Sequence, residues 1–216
     1  MDKKTIASMI DHTLLKPQAT IKDVEKLCSE ATDFGFSSVC INPYFVKAAA
    51  KKLSGSSVSV CTVIGFPLGA NTTETKIFEA KKAVEEGAVE VDMVINIGAL
   101  KNKEYDYVRD DINGVVEAVR DKAIVKVIIE TCLLDDDEKV KVCKIAMDAG
   151  AHFVKTSTGF GIKGATIHDV ELMREAVGEH LGVKASGGIK TYEDAVNMIN
   201  AGATRLGTSS SIKIIE

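Results

Sequence analysis

Two lysines stand where lysines are costly. Lys155 follows Phe153 and Val154 and precedes Thr156-Ser157-Thr158-Gly159, and Lys184 follows Val183 and precedes Ala185-Ser186-Gly187-Gly188. Taking an ammonium group out of water costs on the order of several kcal/mol even after relaxation, so a lysine in such a segment is snorkelling, paired or kept for its reactivity. A neutral lysine amine can attack a carbonyl, lose water to give an iminium, and accept the electrons released when a carbon–carbon bond breaks. That chemistry needs no metal. It does need the amine to be free of its proton, and a second cation close by, with partial desolvation, disfavours the protonated form. Spacing alone does not say which of the two lysines is the nucleophile.

Side chains placed this way need strands to present them. Short β-rich runs recur at 37–41, 58–64, 89–95, 124–129, 153–156, 183–185 and 204–206, and 10–15 makes an eighth. Helical apolar spacing lies between them at 72–86, 135–149, 166–177 and 191–200. Each of these four opens beside a Thr or Asp able to cap a first turn and closes near Gly87, Gly150, Gly178 or Gly202. Repeated βα units demand a parallel sheet covered by helices. An open sheet would be expected to carry a GxGxxG or GxxxxGK[ST] loop after its first strand, and neither pattern occurs. The expected fold is therefore an α/β chain forming a single (β/α)8 TIM barrel, one catalytic domain over 1–216 with a short N-terminal helix.

Alternation along the strands then sorts the charges. Positions two apart share a face, so Glu90 and Asp92 project together, as do Lys126 and Glu130. The outer face of a barrel strand packs on helices and must be apolar, which sends Glu90, Asp92, Lys126, Glu130, Lys155 and Lys184 to the interior. Three acids would meet three lysines there. For Glu90 and Lys126, early on their strands, a buried ion pair that only fills the barrel is a serious competing explanation. Asp92, Lys155 and Lys184 lie nearer the C-terminal ends, where barrel enzymes do their chemistry. Asp92 would keep the cationic pair tolerable and move protons.

Three strand ends also open into small-residue loops, Thr156 to Gly161, Ser186-Gly187-Gly188 and Gly207-Thr208-Ser209-Ser210-Ser211. Bare amides there could cradle an anion, with 209–215 as the short extra helix that often completes a phosphate site after the last strands of a barrel. Ordinary tight turns are the alternative for any one of them.

Composition excludes several other roles. A formal charge of −4 and 5% aromatic residues leave no basic stripe with stacking residues for nucleic acid. No run suggests a membrane span or secretory leader, so a cytoplasmic protein is expected. The five cysteines are scattered without CxxC spacing, and no metal or other cofactor is expected. Cys40 reads as a small buried thiol at a strand end. His12 would turn away from the interior if Asp11 points inward, and His152, His168 and His180 show no metal spacing.

The chain resembles the 2-deoxyribose-5-phosphate aldolases, metal-independent class I aldolases of (β/α)8 fold. The likeness is carried in order by Ile10 to Leu15, Val39-Cys40-Ile41-Asn42-Pro43, Gly65-Phe66-Pro67-Leu68-Gly69, Glu90 to Val94, Lys126 to Thr131, Phe153 to Gly159, Lys184 to Gly188 and Arg205 to Ser210. The resemblance implies that Lys155 is the Schiff-base lysine, Lys184 the lysine that perturbs it, and Asp92 the acid/base partner. It implies Asp11 and Thr13 near a substrate hydroxyl, and Gly159, Gly187, Gly188, Gly207, Ser209 and Ser210 around a 5-phosphate. The implied reaction is reversible cleavage of 2-deoxy-D-ribose 5-phosphate to D-glyceraldehyde 3-phosphate and acetaldehyde, in deoxyribonucleotide catabolism, by a homodimer or tetramer. Two departures stand out. Phe160 occupies a place where some members carry a phosphate-side lysine, which leaves backbone amides and Lys163 for that task. The final residues Ile212 to Glu216 lack the tail tyrosine that assists proton transfer in some members. Another Schiff-base barrel acting on a different phosphorylated aldehyde or ketose, or a barrel that binds a sugar phosphate without turnover, are the competing expectations.

Overall fold

The computed structural model describes residues 1–216, and its eight strands close into one parallel barrel in sequential order, with the eighth pairing back on the first. The strands are β1 (Ile10–Leu14), β2 (Ser38–Ile41), β3 (Ser59–Ile64), β4 (Glu90–Val94), β5 (Ile124–Ile128), β6 (Phe153–Lys155), β7 (Gly182–Ser186) and β8 (Arg205–Thr208). The helices are α1 (Lys3–Ala7), α2 (Ile21–Phe34), α3 (Val46–Lys52), α4 (Thr73–Glu85), α5 (Ile97–Lys101), α6 (Tyr105–Ala118), α7 (Asp136–Asp148), α8 (Ile167–Val177), α9 (Tyr192–Asn200) and α10 (Ser211–Ile215). The barrel and its short N-terminal helix agree with expectation. No helix is long and apolar enough to cross a membrane.

Helix starts follow the capping rule in most places. Asp135, Thr166 and Thr191 each accept a hydrogen bond from the backbone N–H three residues on, whereas Thr72 makes no such bond. Such a cap is worth about 1 kcal/mol. Thr20 with Asp23 builds a further reciprocal capping box at the start of α2, a helix the apolar spacing had not marked out. The glycines at 87, 150, 178 and 202 all have positive φ and end their helices as expected.

The apolar core lies outside the barrel. Val91, Met93, Val125, Val127, Val154, Val183, Ala185 and Leu206 point outward and join one large cluster with the buried faces of the helices. The barrel interior holds instead a small cluster of Leu15, Cys40, Cys61 and Val63, with Phe66 against it, and a set of buried charges. Apolar burial at about 25 cal/mol per Å² therefore acts chiefly between sheet and helices, which leaves the interior available for polar groups.

A second buried ion pair lies in the outer layer. Lys76 on α4 and Asp111 on α6 are both fully buried, with Nζ 2.5 Å from Oδ2, and the Thr73 hydroxyl donates to Oδ1 at 2.9 Å. Lys76 also packs its stem against Gly65, whose N–H donates to Glu79, so α4 is tied to the loop after β3. Asp111→Ala would strand a buried ammonium, and we expect a loss of about 3–5 kcal/mol in urea unfolding. The double replacement Lys76→Met with Asp111→Leu should recover most of it; equal losses in both variants would contradict the assignment.

His12 on β1 points outward between layers, as alternation requires, with Nδ1 2.8 Å from Ser211 Oγ and Nε2 2.9 Å from Glu30. Burial lowers its pKa below the ordinary value, against the opposing pull of Glu30. The unfolded chain therefore binds this proton more readily than the folded one, and stability falls as pH drops below about 6.5. Thermal midpoints should decline over that range in the native chain and decline less in His12→Gln; parallel curves would contradict this source.

Candidate active site

The buried charges meet on one carboxylate. Asp92 on β4 is fully buried, and its two oxygens divide the work. Oδ1 accepts from Lys126 Nζ at 2.9 Å and from the Cys61 thiol at 3.2 Å, while Oδ2 accepts from Lys155 Nζ at 2.8 Å and Lys184 Nζ at 2.7 Å. Strand register explains the meeting, because Asp92 pairs with Lys126 across β4 and β5, and Lys155 with Lys184 across β6 and β7. Lys184 also binds Asp11 Oδ2, Lys126 binds Glu90, and Arg205 on β8 bridges Asp11 at 2.7 Å and Glu90 at 3.1 Å.

The expectation of three acids and three lysines is corrected in its membership. Glu130 does not join the lysines. β5 ends at Ile128, and Glu130 takes a left-handed backbone conformation, φ 53°, which breaks the two-residue alternation that had placed it beside Lys126. Its carboxylate instead accepts from Thr158 N at 3.2 Å and from the Thr158 hydroxyl, pinning the loop after β6. A left-handed residue with a Cβ is strained by about 1 kcal/mol or more, and the Thr158 bonds offset that. Asp11 takes the third acidic place, and Arg205 adds a fourth cation.

Burial alone would push the Asp92 carboxyl up, but Lys126, Lys155 and Lys184 hold it well below the usual carboxylate range. Burial opposes the charge on Lys184 as well, yet Asp11 and Asp92 raise its pKa above the ordinary lysine value. Lys126 is held up in the same way, chiefly by Asp92, and Arg205 by Asp11 and Glu90. Three of the four bases are thus fixed as cations opposite three carboxylates. The fourth, Lys155, shares Asp92 Oδ2 with Lys184. Lys155 is also the base with a single carboxylate partner, against two or more for each of the others.

Above this network opens a cavity of about 300 Å³ at the C-terminal ends of the strands, and Lys155 lines it. Thr13, Gly159, Gly187, Gly188, Gly207, Ser209 and Ser210, all expected at a substrate site, line it too. Asp11, Asp92 and Lys184 lie beneath, fully enclosed. Gly207 faces the interior so closely that a Cβ there would sit 2.3 Å from Ser186 Oγ and 3.0 Å from Lys184 Cε. Phe160, also in the lining, sets its ring edge-on to Phe66 with centroids 5.3 Å apart.

Lys163 is exposed and is not part of the lining; Lys16 and Lys190 are. Sequence reasoning missed both, although each follows a strand-end motif by one or two residues, Leu14-Leu15-Lys16 and Gly188-Ile189-Lys190. Arg205 was missed as well. Its signal was available, since it stands two residues before Gly207 on the same face of β8.

A closed parallel barrel that gathers an amine, a carboxylate and glycine-rich loops at one mouth has the build of an aldolase barrel. The sequence model of the DeoC/LacD family aldolases matches residues 5–214, and the chain belongs to that family. Among its relatives, the deoxyribose-phosphate aldolase of Clostridium kluyveri is 64% identical over 215 residues, covering 100% of this chain and 99% of that protein. The Clostridium tetani deoxyribose-phosphate aldolase is 61% identical over 98% of each chain. Among solved structures, the tetrameric deoxyribose phosphate aldolase of Aeropyrum pernix superposes with a TM-score of 0.93 at 38% identity, covering 99% of this chain and 91% of that one. An aldolase designated QR15 gives the same TM-score at 42% identity, over 97% and 94% of the two chains.

Proposed function

We propose that the chain is a class I 2-deoxy-D-ribose-5-phosphate aldolase, with Lys155 as nucleophile. The observation that supports this most directly is Lys155 at the cavity floor, sharing Asp92 Oδ2 with Lys184 and holding that one carboxylate as its sole acidic partner. The relatives named above supply the substrate. The Lys155 amine adds to the C1 aldehyde of the open-chain sugar, and loss of water gives the iminium. Removal of the C3 hydroxyl proton then sends the C2–C3 bonding electrons to the iminium nitrogen, releasing glyceraldehyde 3-phosphate and leaving an enamine. Protonation at C2 and hydrolysis yield acetaldehyde and the free amine. Asp92 and Lys184 touch Lys155 or its partner oxygen directly and are the groups placed to carry these protons. Asp11 and Arg205 fix Lys184 and Glu90 from below, and Asp11 acts on substrate through Lys184, while the Thr13 hydroxyl at the cavity wall donates to the Asp11 carbonyl and keeps its oxygen to accept from a substrate hydroxyl.

The 5-phosphate fits the loops at the far side of the cavity, where Gly159, Gly187, Gly188, Gly207, Ser209 and Ser210 present amides and hydroxyls. Phe160 adds apolar surface there rather than charge. A homo-oligomer belongs to the same reading, supported by the tetrameric deoxyribose phosphate aldolase of Aeropyrum pernix, and a cytoplasmic location is part of it as well.

The test is cleavage of 2-deoxyribose 5-phosphate coupled to reduction of the acetaldehyde formed, run beside other phosphorylated aldehydes and ketoses. Cleavage of the deoxy sugar phosphate as the preferred substrate is expected. Preference for a different phosphorylated sugar, or tight binding without turnover, would overturn the reading.

A further inference from the structure

Two thiols lie beside the charge network with no part in the chemistry above. Cys40 on β2 and Cys61 on β3 are register partners on neighbouring strands, and both are fully buried inside the barrel. The Cys61 thiol donates to Asp92 Oδ1 at 3.2 Å, on the side of the carboxylate away from Lys155 and Lys184. The two sulfurs and a carboxylate oxygen of Asp92 all lie within 4.8 Å of one another.

We propose that Cys40, Cys61 and Asp92 form a binding site for a soft divalent cation, cadmium or zinc, and that its occupation inhibits the enzyme. Borderline and soft cations prefer thiolate, with metal–sulfur bonds of about 2.3 Å and metal–oxygen bonds of about 2.0–2.2 Å. Ligand atoms around such an ion sit roughly 3–4 Å apart, so a cluster already this compact closes by small side-chain rotations. Charge does not forbid it. Each cation enters as two thiol protons leave, so the surrounding Lys126, Lys155, Lys184 and Arg205 meet no added positive charge. The Cys40 thiol is already eased toward its thiolate, first by its hydrogen bond with Cys61 and further by Lys184 and Lys155. Burial, with the hydrogen bond to Cys40, holds the Cys61 proton more firmly. Access is through the cavity, whose floor is Lys155, one hydrogen bond from Asp92.

The bound cation would compete with Lys126 for Asp92 Oδ1 and draw the carboxylate away from its partners. The inhibitory half of this inference rests on the proposed role of Asp92; the binding half does not. The experiment titrates the freshly reduced, full-length protein with cadmium chloride alone. Its readouts are the ultraviolet thiolate-to-cadmium charge-transfer band and proton release in weak buffer, followed by aldolase turnover.

We expect one cadmium and two protons per chain, a turnover loss of roughly a hundredfold at saturation, in the range for removing an acid/base group, and full recovery with a chelator. Cys40→Ser and Cys61→Ser should abolish the band, and Cys132→Ser, a half-exposed thiol elsewhere, should keep it. A band that survives in either of the first two variants, or none in the native protein, would overturn the site. Should a variant fail to fold, X-ray absorption on the cadmium-loaded native chain decides instead: two sulfur ligands are expected, and one or none contradicts the site. Binding with undiminished turnover of an otherwise active enzyme would overturn the inhibitory role alone, whereas an enzyme inactive on the deoxy sugar phosphate before cadmium is added fails the proposed function and leaves the binding result intact.

Discussion

Lys155→Leu should lower turnover of 2-deoxyribose 5-phosphate by about 10⁴-fold or more, because removing a covalent nucleophile removes the whole iminium route and leaves only binding and proximity. Folding should survive. Removing Lys155 leaves Lys126, Lys184 and Arg205 opposite Asp11, Glu90 and Asp92, a balanced set in which Asp92 keeps two of its ammonium partners. Substrate should still bind, since the glycine and serine loops around the cavity are untouched. Lys155→Arg places a cation there without a usable amine and should be as inactive as the leucine variant. Substantial turnover in either variant, with an unaltered unfolding midpoint, would show that another group carries the carbonyl.

The second large effect concerns Lys184. It touches Asp92 Oδ2 at 2.7 Å, the oxygen that also holds Lys155 at 2.8 Å, and Asp11 and Asp92 keep it charged. With Lys184→Leu, Lys155 loses the like charge that shares its carboxylate oxygen, and the loss of a neighbouring cation favours the protonated amine. Turnover near neutral pH should fall by roughly 10²–10⁴-fold, the range for a lost acid/base group, and the rising limb of the pH–rate profile should move to higher pH. A structural role alone predicts a different outcome, in which turnover and stability fall together and the profile keeps its shape. Measuring kcat against pH for the native and variant enzymes separates the two.

The lysines and Asp92 were legible because each sits on a strand where two-residue alternation forces a choice between an apolar outer face and the interior, and Val91, Met93, Val154 and Val183 had already claimed the outside. The barrel followed from the repeat of strands and capped helices. Glu130 was misplaced because alternation holds only while the strand lasts, and a left-handed residue beyond Ile128 turned its side chain toward Thr158. Arg205 and Asp11 meet only when β8 closes on β1, across 194 residues, and no local pattern records that contact. Lys76 and Asp111 were hidden for a related reason: on α4 and α6 each reads as one charged residue on an amphipathic surface, and their burial depends on how the two helices pack. Cys40 was rightly read as buried, but its partnership with Cys61 comes from strand register, which a single strand's sequence does not contain.

The central claim is that Lys155 forms the covalent link to substrate. It is tested most directly by borohydride reduction in the presence of acetaldehyde or 2-deoxyribose 5-phosphate, followed by peptide mass mapping of the inactivated protein. A single reduced adduct on Lys155, absent without substrate and absent in Lys155→Leu, is the predicted result. An adduct on Lys184, Lys126 or any other residue, or full activity after borohydride with substrate present, would contradict it.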